Sequence, residues 1–233
     1  MDTVALSRAL LEETQGQTNG PGSGKSDLIR LSRDYLQKAR ARLLELHCAG
    51  AGGMEVVSAY TGMMDHLMRH LYSVASADFL KRFPGQIPHC AVLAQGGYGR
   101  GELNPQSDVD LLFLYSWKVT PYFESVTEKL LYTLWDAGLQ VGSAVRTVGE
   151  SMRLAEADIK VKTAMLDTRF LCGDYALFEE FERAAEKRLV KKRVGRFIQE
   201  KILESQARHA SYGGSVYLLE PDVKEGEGGL RDI

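Results

Sequence analysis

The sequence predicts an α+β fold, and three observations support that class. Two segments with helical spacing of apolar residues come first, three short segments typical of β-strands lie in the middle, and a mostly helical stretch follows. At 233 residues the chain is long enough to bury one good-sized core. We therefore expect a small sheet that is flanked by N- and C-terminal helical segments.

The first 84 residues are predicted to form a lead-in and two helices. Residues 1–25 are predicted to be a flexible lead-in, because the stretch "ETQGQTNGPGSGKS" is rich in Gly, Ser, Thr and Gln. Residues 26–84 form the predicted N-terminal helical segment. Its first helix starts at Ser26 and ends before "AGAGG", and a second apolar stripe follows from Met54.

Residues 85–150 are the predicted core. Three short strands are expected there, at residues 91–95, 107–115 and 140–148. The loop "GGYGRGELNPQ" separates the first two, and a helix with Pro121 in its first turn precedes the third. Residues 151–233 are predicted to be mostly helical, with a break at Gly173 and a Gly-rich, charged tail.

Two aspartates lie at the start of the second predicted strand, in "SDVDLLFLY". Asp108 and Asp110 are two residues apart, so their side chains point to the same face of a strand. Two carboxylates so close repel each other, and burying either of them is costly. Oxygen ligands of this kind hold Mg²⁺, which commonly also binds substrate phosphates. We therefore expect Asp108 and Asp110 to bind Mg²⁺ together with a nucleoside triphosphate.

The loop before these aspartates has features of an anion site. Gly96 and Gly97 carry no side chains where the first strand ends, so backbone N–H groups can approach an anion. Arg100 adds a positive charge, and Ser107 adds a hydroxyl donor beside Asp108. The alternative is that "NPQSD" is only a turn that Asp108 caps. The order of strand, Gly-Gly turn, loop and D-x-D strand favours the nucleotide site.

Composition and charge argue against nucleic acid and membranes as partners and indicate a cellular location. The formal net charge of −2 argues against a mainly electrostatic nucleic-acid binder. The longest apolar run, "LLFLY", is far too short to span a membrane, and the N-terminus lacks the pattern of a signal peptide. Three scattered cysteines without CxxC spacing favour a reduced, cytoplasmic location.

Four stretches carry a resemblance to a known family. "GGYGRGELNPQSDVDLLFL" resembles the nucleotidyltransferase superfamily, which has a DNA-polymerase-β-like fold. "LWDAGLQVGSAVRT", "MLDTRFLCGD" and "EPDVKEGEGGLRDI" are similar to segments of the PII uridylyltransferase/uridylyl-removing family. The resemblance covers roughly residues 28–233. It implies a polymerase-β-like core, with a short mixed sheet and helices, between the two helical segments.

The resemblance also implies an activity: Mg²⁺-dependent transfer of UMP from UTP to a tyrosine of the small nitrogen-signalling protein PII. The family's motif matches this chain directly at four positions, and the resemblance therefore implies site roles for Gly96, Gly97, Asp108 and Asp110. Three further residues of the motif, to which nucleotide binding is assigned, are Arg100, Glu102 and Ser107.

The chain departs from the family pattern at several points. The superfamily usually has a third carboxylate on a later strand, but "QVGSAVRT" contains none, so Asp167 in "LDTRF" is the candidate third catalytic carboxylate. The family's "GHS" is Gly142-Ser143-Ala144 here. In the tail, Lys224 and Arg231 are candidates to contact nucleotide phosphate. Full members continue into a phosphohydrolase and two ACT domains, so residues 151–233 are expected to be C-terminally truncated relative to the family.

Three alternatives remain open from the residues. A related nucleotidyltransferase with another nucleotide or acceptor would carry the same D-x-D pattern, because that pattern binds metal and phosphate and not the base. A non-catalytic nucleotide-binding regulatory module would bind nucleotide with Mg²⁺ and form no product. A helical interaction module with a vestigial site would show no Mg²⁺-dependent nucleotide binding.

Overall fold

The computed structural model describes residues 25–85, 89–191, 194–212, 220 and 222–232. Residues 1–24 of the predicted lead-in lie outside this range. Within it the helices are α1 (Lys25–Cys48), α2 (Gly53–Arg82), α3 (Gly96–Gly99), α4 (Pro121–Asp136), α5 (Val148–Ala157), α6 (Ile159–Leu166), α7 (Tyr175–Ala185) and α8 (Val194–Ser211). The strands are β1 (Cys90–Ala94), β2 (Val109–Tyr115), β3 (Val141–Arg146) and β4 (Arg169–Gly173). A π-helical turn, Glu186–Val190, extends α7, and a 3₁₀ turn covers Leu230–Asp232.

The four strands form one mixed sheet in the order β3-β2-β1-β4. β1 is antiparallel to both β2 and β4, whereas β2 and β3 are parallel. The parallel pair is joined through α4, since a parallel connection needs a crossover and cannot be made by a tight hairpin. The predicted α+β class with a short mixed sheet is therefore confirmed.

Helices cover both faces of the sheet, which explains why its central strands are almost uniformly apolar. Val92, Ala94, Leu111 and Phe113 pack on one face with buried side chains of α1, α2 and α4. The alternate residues of β1 and β2 pack on the other face with α5, α6 and α7. The D-x-D strand is thus anchored on both sides, so the position of its first residues is well fixed.

The strand β4 was missed by the sequence analysis, which expected residues 151–233 to be mostly helical. Residues 169–173 lie between helical patterns, and they become a strand because they pair with β1 across a bulge between Val92 and Leu93. Gly173 ends β4 at φ +102°, and a β-carbon there would lie 2.1 Å from the carbonyl oxygen of Cys90. The expectation of a loop after β1 was also incomplete, since residues 96–99 form the short helix α3.

The predicted domain boundaries at residues 25, 84 and 150 stay a prediction.

None of the helices in the described residues is long and apolar enough to cross a membrane.

Candidate functional site

The glycine pair forms a compact turn directly after β1. Gly96 has φ +58°, a conformation that glycine adopts without the penalty of a β-carbon. A β-carbon on Gly97 would lie 3.3 Å from the carbonyl oxygen of Glu102, which is tighter than most real contacts. The amide of Glu102 in turn donates to the carbonyl oxygen of Gly97 at 2.7 Å. The backbone conformation therefore favours glycine at position 96, and a side chain at position 97 would push its neighbours apart by a few tenths of an ångström.

The two aspartates lie beside this turn. Asp108 immediately precedes β2 and Asp110 is its second residue, and both side chains are exposed. The amide of Gln95 donates to the carbonyl oxygen of Asp110 at 3.0 Å, which ties the end of β1 to the start of β2. A β-carbon on Gly96 would lie only 3.7 Å from Oδ2 of Asp110. The structure thus brings Gly96 and Asp110 together, and the role of the two aspartates in a nucleotide site stays a prediction.

The negative charge at this point is not fully compensated. Partial burial raises the pKa of Asp110, and the charge of Asp108 raises it further. Lys224 opposes this and lowers the pKa of Asp110. A group that binds here and carries positive charge would favour the ionised carboxylate, so the site suits a cation.

Gly142 on β3 lies directly beside Asp110, and no motif in the sequence indicated a role for it. The two residues are partners in the parallel pairing of β2 and β3. A β-carbon on Gly142 would lie 2.4 Å from Oδ1 of Asp110. Only glycine leaves room for the carboxylate in its present position.

Arg100 is held by two carboxylates next to the glycine turn. Its Nε donates to Glu102 at 3.1 Å, and its Nη1 donates to Oδ2 of Asp167 at 2.6 Å. These two partners raise the pKa of Arg100, Glu102 first and Asp167 second. Ser107 is exposed, and its amide donates to the carbonyl oxygen of Asn104 at 3.1 Å in the turn before β2.

Asp167, the candidate third carboxylate, is therefore placed in an ion pair with Arg100. Across the described ranges of the chain, no three His, Cys, Asp or Glu side chains are grouped so that they could hold a metal ion. Asp108 and Asp110 form a pair near the glycine turn, and the assignment of Asp167 to the reaction stays a prediction.

Two parts of the chain match known protein families. Residues 37–148 match the family "Putative nucleotidyltransferase DUF294", and this range contains the glycine turn, both aspartates and Gly142. Residues 196–233 match the family "GlnD PII-uridylyltransferase".

Two curated relatives match nearly the whole chain. The "Bifunctional uridylyltransferase/uridylyl-removing enzyme" of Erythrobacter litoralis (strain HTCC2594) is 40% identical over 239 residues, which is 99% of this chain and 25% of the relative. A protein with the same name from Bradyrhizobium diazoefficiens is 38% identical over 97% of this chain and 24% of its own length. Over nearly its whole length, this chain is similar to part of the bifunctional uridylyltransferase/uridylyl-removing enzymes. It spans about a quarter of the length of these relatives.

One solved structure, titled "Crystal structure of the toxin-antitoxin with AMP-PNP", is 18% identical and covers 57% of this chain and 93% of its own, with a TM-score of 0.28.

The segment that matches the uridylyltransferase family model ends in a compact tail, residues 222–232, that packs on α8. Arg208 of α8 donates to Asp232 at 2.6 Å and to the carbonyl oxygen of Glu225 at 2.8 Å. Arg208 and His209 hold the pKa of Asp232 well below its usual range. The amide of Arg231 donates to the carbonyl oxygen of Lys224 at 3.1 Å, which closes the tail on itself.

The tail brings a basic residue toward the two aspartates. Lys224 lies two residues after Asp222, and the Asp222 carboxylate accepts a hydrogen bond from the Lys224 amide at 2.9 Å. The charge of Lys224 lowers the pKa of Asp110, which opposes the larger effects of burial and of Asp108. Lys224 therefore acts electrostatically on Asp110, and a contact of Lys224 or Arg231 with nucleotide phosphate stays a prediction.

Proposed function

We propose that this chain transfers UMP from UTP to a tyrosine of the PII protein, with Mg²⁺ bound by Asp108 and Asp110. One observation carries the proposal: the β-carbon position of Gly96 lies 3.7 Å from Oδ2 of Asp110. A cation on that carboxylate would be next to the backbone of the glycine turn, where a phosphate can approach. The names of the relatives, uridylyltransferase/uridylyl-removing enzymes, support transfer of a uridylyl group, and the family matched by residues 196–233 is described as a PII-uridylyltransferase, which supports PII as the acceptor.

Each residue of the site has a proposed task. The backbone amides of Gly96 and Gly97 would bind phosphate oxygens, because no side chain blocks them. Ser107 would add a hydroxyl donor to the same oxygens. A divalent cation on the two aspartates would neutralise the charge of the triphosphate and of the leaving group.

Arg100 and its two partners add a second charged group. Its guanidinium is paired with Glu102 and Asp167. Arg100 would exchange one of these carboxylates for a phosphate oxygen, since arginine recognises both in the same planar geometry. Asp167 would then be released for its proposed part in catalysis.

The proposed reaction is an in-line displacement at the α-phosphorus of UTP. The phenolic oxygen of the acceptor tyrosine forms a bond to that phosphorus, and the bond to the bridging oxygen of the β-phosphate breaks. Pyrophosphate leaves with the electron pair, and the phenolic proton passes to a carboxylate of the site or to water.

We further propose that the reaction takes place in the cytoplasm, with neither nucleic acid nor membrane as partner. The three cysteines are all free thiols, which supports a reducing compartment. Burial raises the pKa of Cys90 and raises that of Cys172 to about 12, so both remain protonated and unreactive.

A second candidate function is a regulatory module that binds the nucleotide and does not turn it over. The pairing of Asp167 with Arg100 favours this candidate, because a carboxylate that is held by Arg100 does not act as a third catalytic carboxylate beside Asp108 and Asp110. Such a module would bind UTP with Mg²⁺ and leave PII unmodified.

The two candidate functions are distinguished by measuring both the labelled nucleotide on PII and the pyrophosphate that is released. The chain is incubated with purified PII, Mg²⁺ and UTP labelled at the α-phosphate, and a parallel tube contains α-labelled ATP. Transfer predicts label on PII with UTP, release of pyrophosphate, and neither result without Mg²⁺. Binding of UTP without labelled PII would favour the regulatory module, and preferential transfer from ATP would assign another nucleotide to the site.

A further inference from the structure

A partly buried ion pair connects α2 to β4, the strand that the sequence pattern did not indicate. Nη1 and Nη2 of Arg169, on β4, donate to the two carboxylate oxygens of Asp65, on α2, at 2.7 and 3.0 Å. The residue Asp65 is 8% exposed, and Arg69 also donates to it at 3.4 Å. A bidentate pair of this kind fixes both side chains in orientation as well as in distance.

The same guanidinium also holds the glycine turn. Nη2 of Arg169 donates to the backbone carbonyl oxygen of Tyr98 at 3.2 Å, and the guanidinium lies 5.5 Å from the centroid of the Tyr98 ring. Tyr98 is the third residue of α3 and is 1% exposed. Its neighbours in the turn are Gly97 and Gly99, which have no side chains to hold them. Arg169 therefore supplies a side-chain restraint that the glycines themselves lack.

Two further contacts hold the same segment. A β-carbon on Gly99 would lie 1.7 Å from the carbonyl oxygen of Asp167, so the chain leading into β4 packs directly on α3. At the other end of the loop, the Thr61 hydroxyl on α2 accepts from the amide of Leu103 at 2.9 Å. The glycine turn is thus held from α2 and from β4, and Asp65–Arg169 joins these two supports.

We propose that Asp65 and Arg169 are positioning residues for nucleotide transfer: through Tyr98 they fix the glycine turn at its distance from Asp110. This inference rests on the proposed function. Neither residue is assigned a contact with substrate, so neither is a catalytic residue. Their effect arises because a misplacement of about 1 Å between reacting groups costs on the order of 100-fold in rate.

The variant Asp65→Asn tests the restraint, since asparagine keeps the shape and cannot accept both hydrogen bonds. The matched control is Glu156→Gln on α5, which weakens another two-pronged pair, with Arg188 at 2.9 and 2.7 Å, outside the site. Hydrogen exchange is measured on the protein without ligand. We expect amides of residues 96–103 to exchange at least fivefold faster in Asp65→Asn only, while those of β3 stay unchanged.

Transfer kinetics give a second readout that a merely structural role would not produce. We expect kcat/KM for UTP to fall about tenfold to 100-fold in Asp65→Asn, with the KM for PII unchanged. Glu156→Gln should retain the kinetics of the natural protein. If the natural protein transfers no UMP, the proposed function fails, and the exchange experiment still decides whether Asp65 and Arg169 restrain the turn.

A double variant covers the case in which Asp65→Asn does not fold. Asp65→Leu combined with Arg169→Met replaces the pair by apolar groups, an exchange that buried ion pairs often tolerate without loss of stability. It should show the same faster exchange at residues 96–103. Exchange there that matches the natural protein, in either folded variant, overturns the inference, and so does an equal acceleration throughout the chain.

Discussion

Replacement of Gly142 by alanine should damage the site and leave the fold intact. Gly142 is the partner of Asp110 in the β2–β3 pairing, and an alanine β-carbon would lie 2.4 Å from Oδ1 of that aspartate. This is about 1 Å short of ordinary contact, which begins near 3.4 Å. The carboxylate is the mobile end of its side chain, so it can rotate away. We therefore expect the strand to persist and Asp110 to point elsewhere.

The size of the effect follows from that displacement. A shift of about 1 Å in a metal-binding carboxylate should lower the rate of transfer on the order of 100-fold. This corresponds to about 2.7 kcal/mol in the activation barrier. The free energy of unfolding should change by no more than about 1 kcal/mol, because alanine is the better residue inside a strand and Gly142 does not have a positive φ.

The measurement compares kcat/KM for UMP transfer with the thermal unfolding temperature. Gly149→Ala is the matched control, since a β-carbon there meets no atom within 4 Å. Transfer by Gly142→Ala within twofold of the natural protein would refute the reasoning. A loss of activity that is accompanied by an equally large loss of stability would also refute it.

Two further predictions concern the neighbours of the site. Gly99→Ala should lower the free energy of unfolding by about 3 kcal/mol, because its β-carbon would overlap the backbone of Asp167. Denaturant unfolding would show this, and a loss below about 1 kcal/mol would contradict the close packing of α3. Lys224→Ala should raise the pKa of Asp110, because the lysine lowers it in the natural protein. The carboxylate then protonates at higher pH, so the acid limb of the kcat/KM profile should shift to higher pH. An unchanged limb, or a shift to lower pH, would exclude that electrostatic role.

The features that the sequence predicted correctly are local in the chain. β1 and β2 are short apolar segments, and each is recognised from a run of neighbouring residues. The glycine turn follows directly from Gly96 and Gly97, which precede that strand. Such patterns depend on side-chain periodicity and backbone conformation within about ten residues, so the sequence alone contains them.

The features that were missed depend on contacts between distant segments. Asp65 and Arg169 are 104 residues apart in the chain, and the pairing of β4 with β1 places them in contact. β4 itself has five residues between helices, so its strand character comes from that pairing and not from its own pattern. Gly142 is required because it lies opposite Asp110 in the sheet, which no local motif indicates.

The central claim is that Asp110 belongs to a working UMP-transfer site, and one measurement tests it most directly. The natural chain and Asp110→Asn are each incubated with PII, UTP and Mg²⁺, and the intact mass of PII is recorded. Removing the carboxylate should weaken stabilisation of the transition state by about 4 kcal/mol, which is roughly 1,000-fold in rate. We predict that PII gains the mass of one UMP with the natural chain and that this gain is lost in the variant. An equal gain with both proteins, while Asp110→Asn remains folded, would contradict the account.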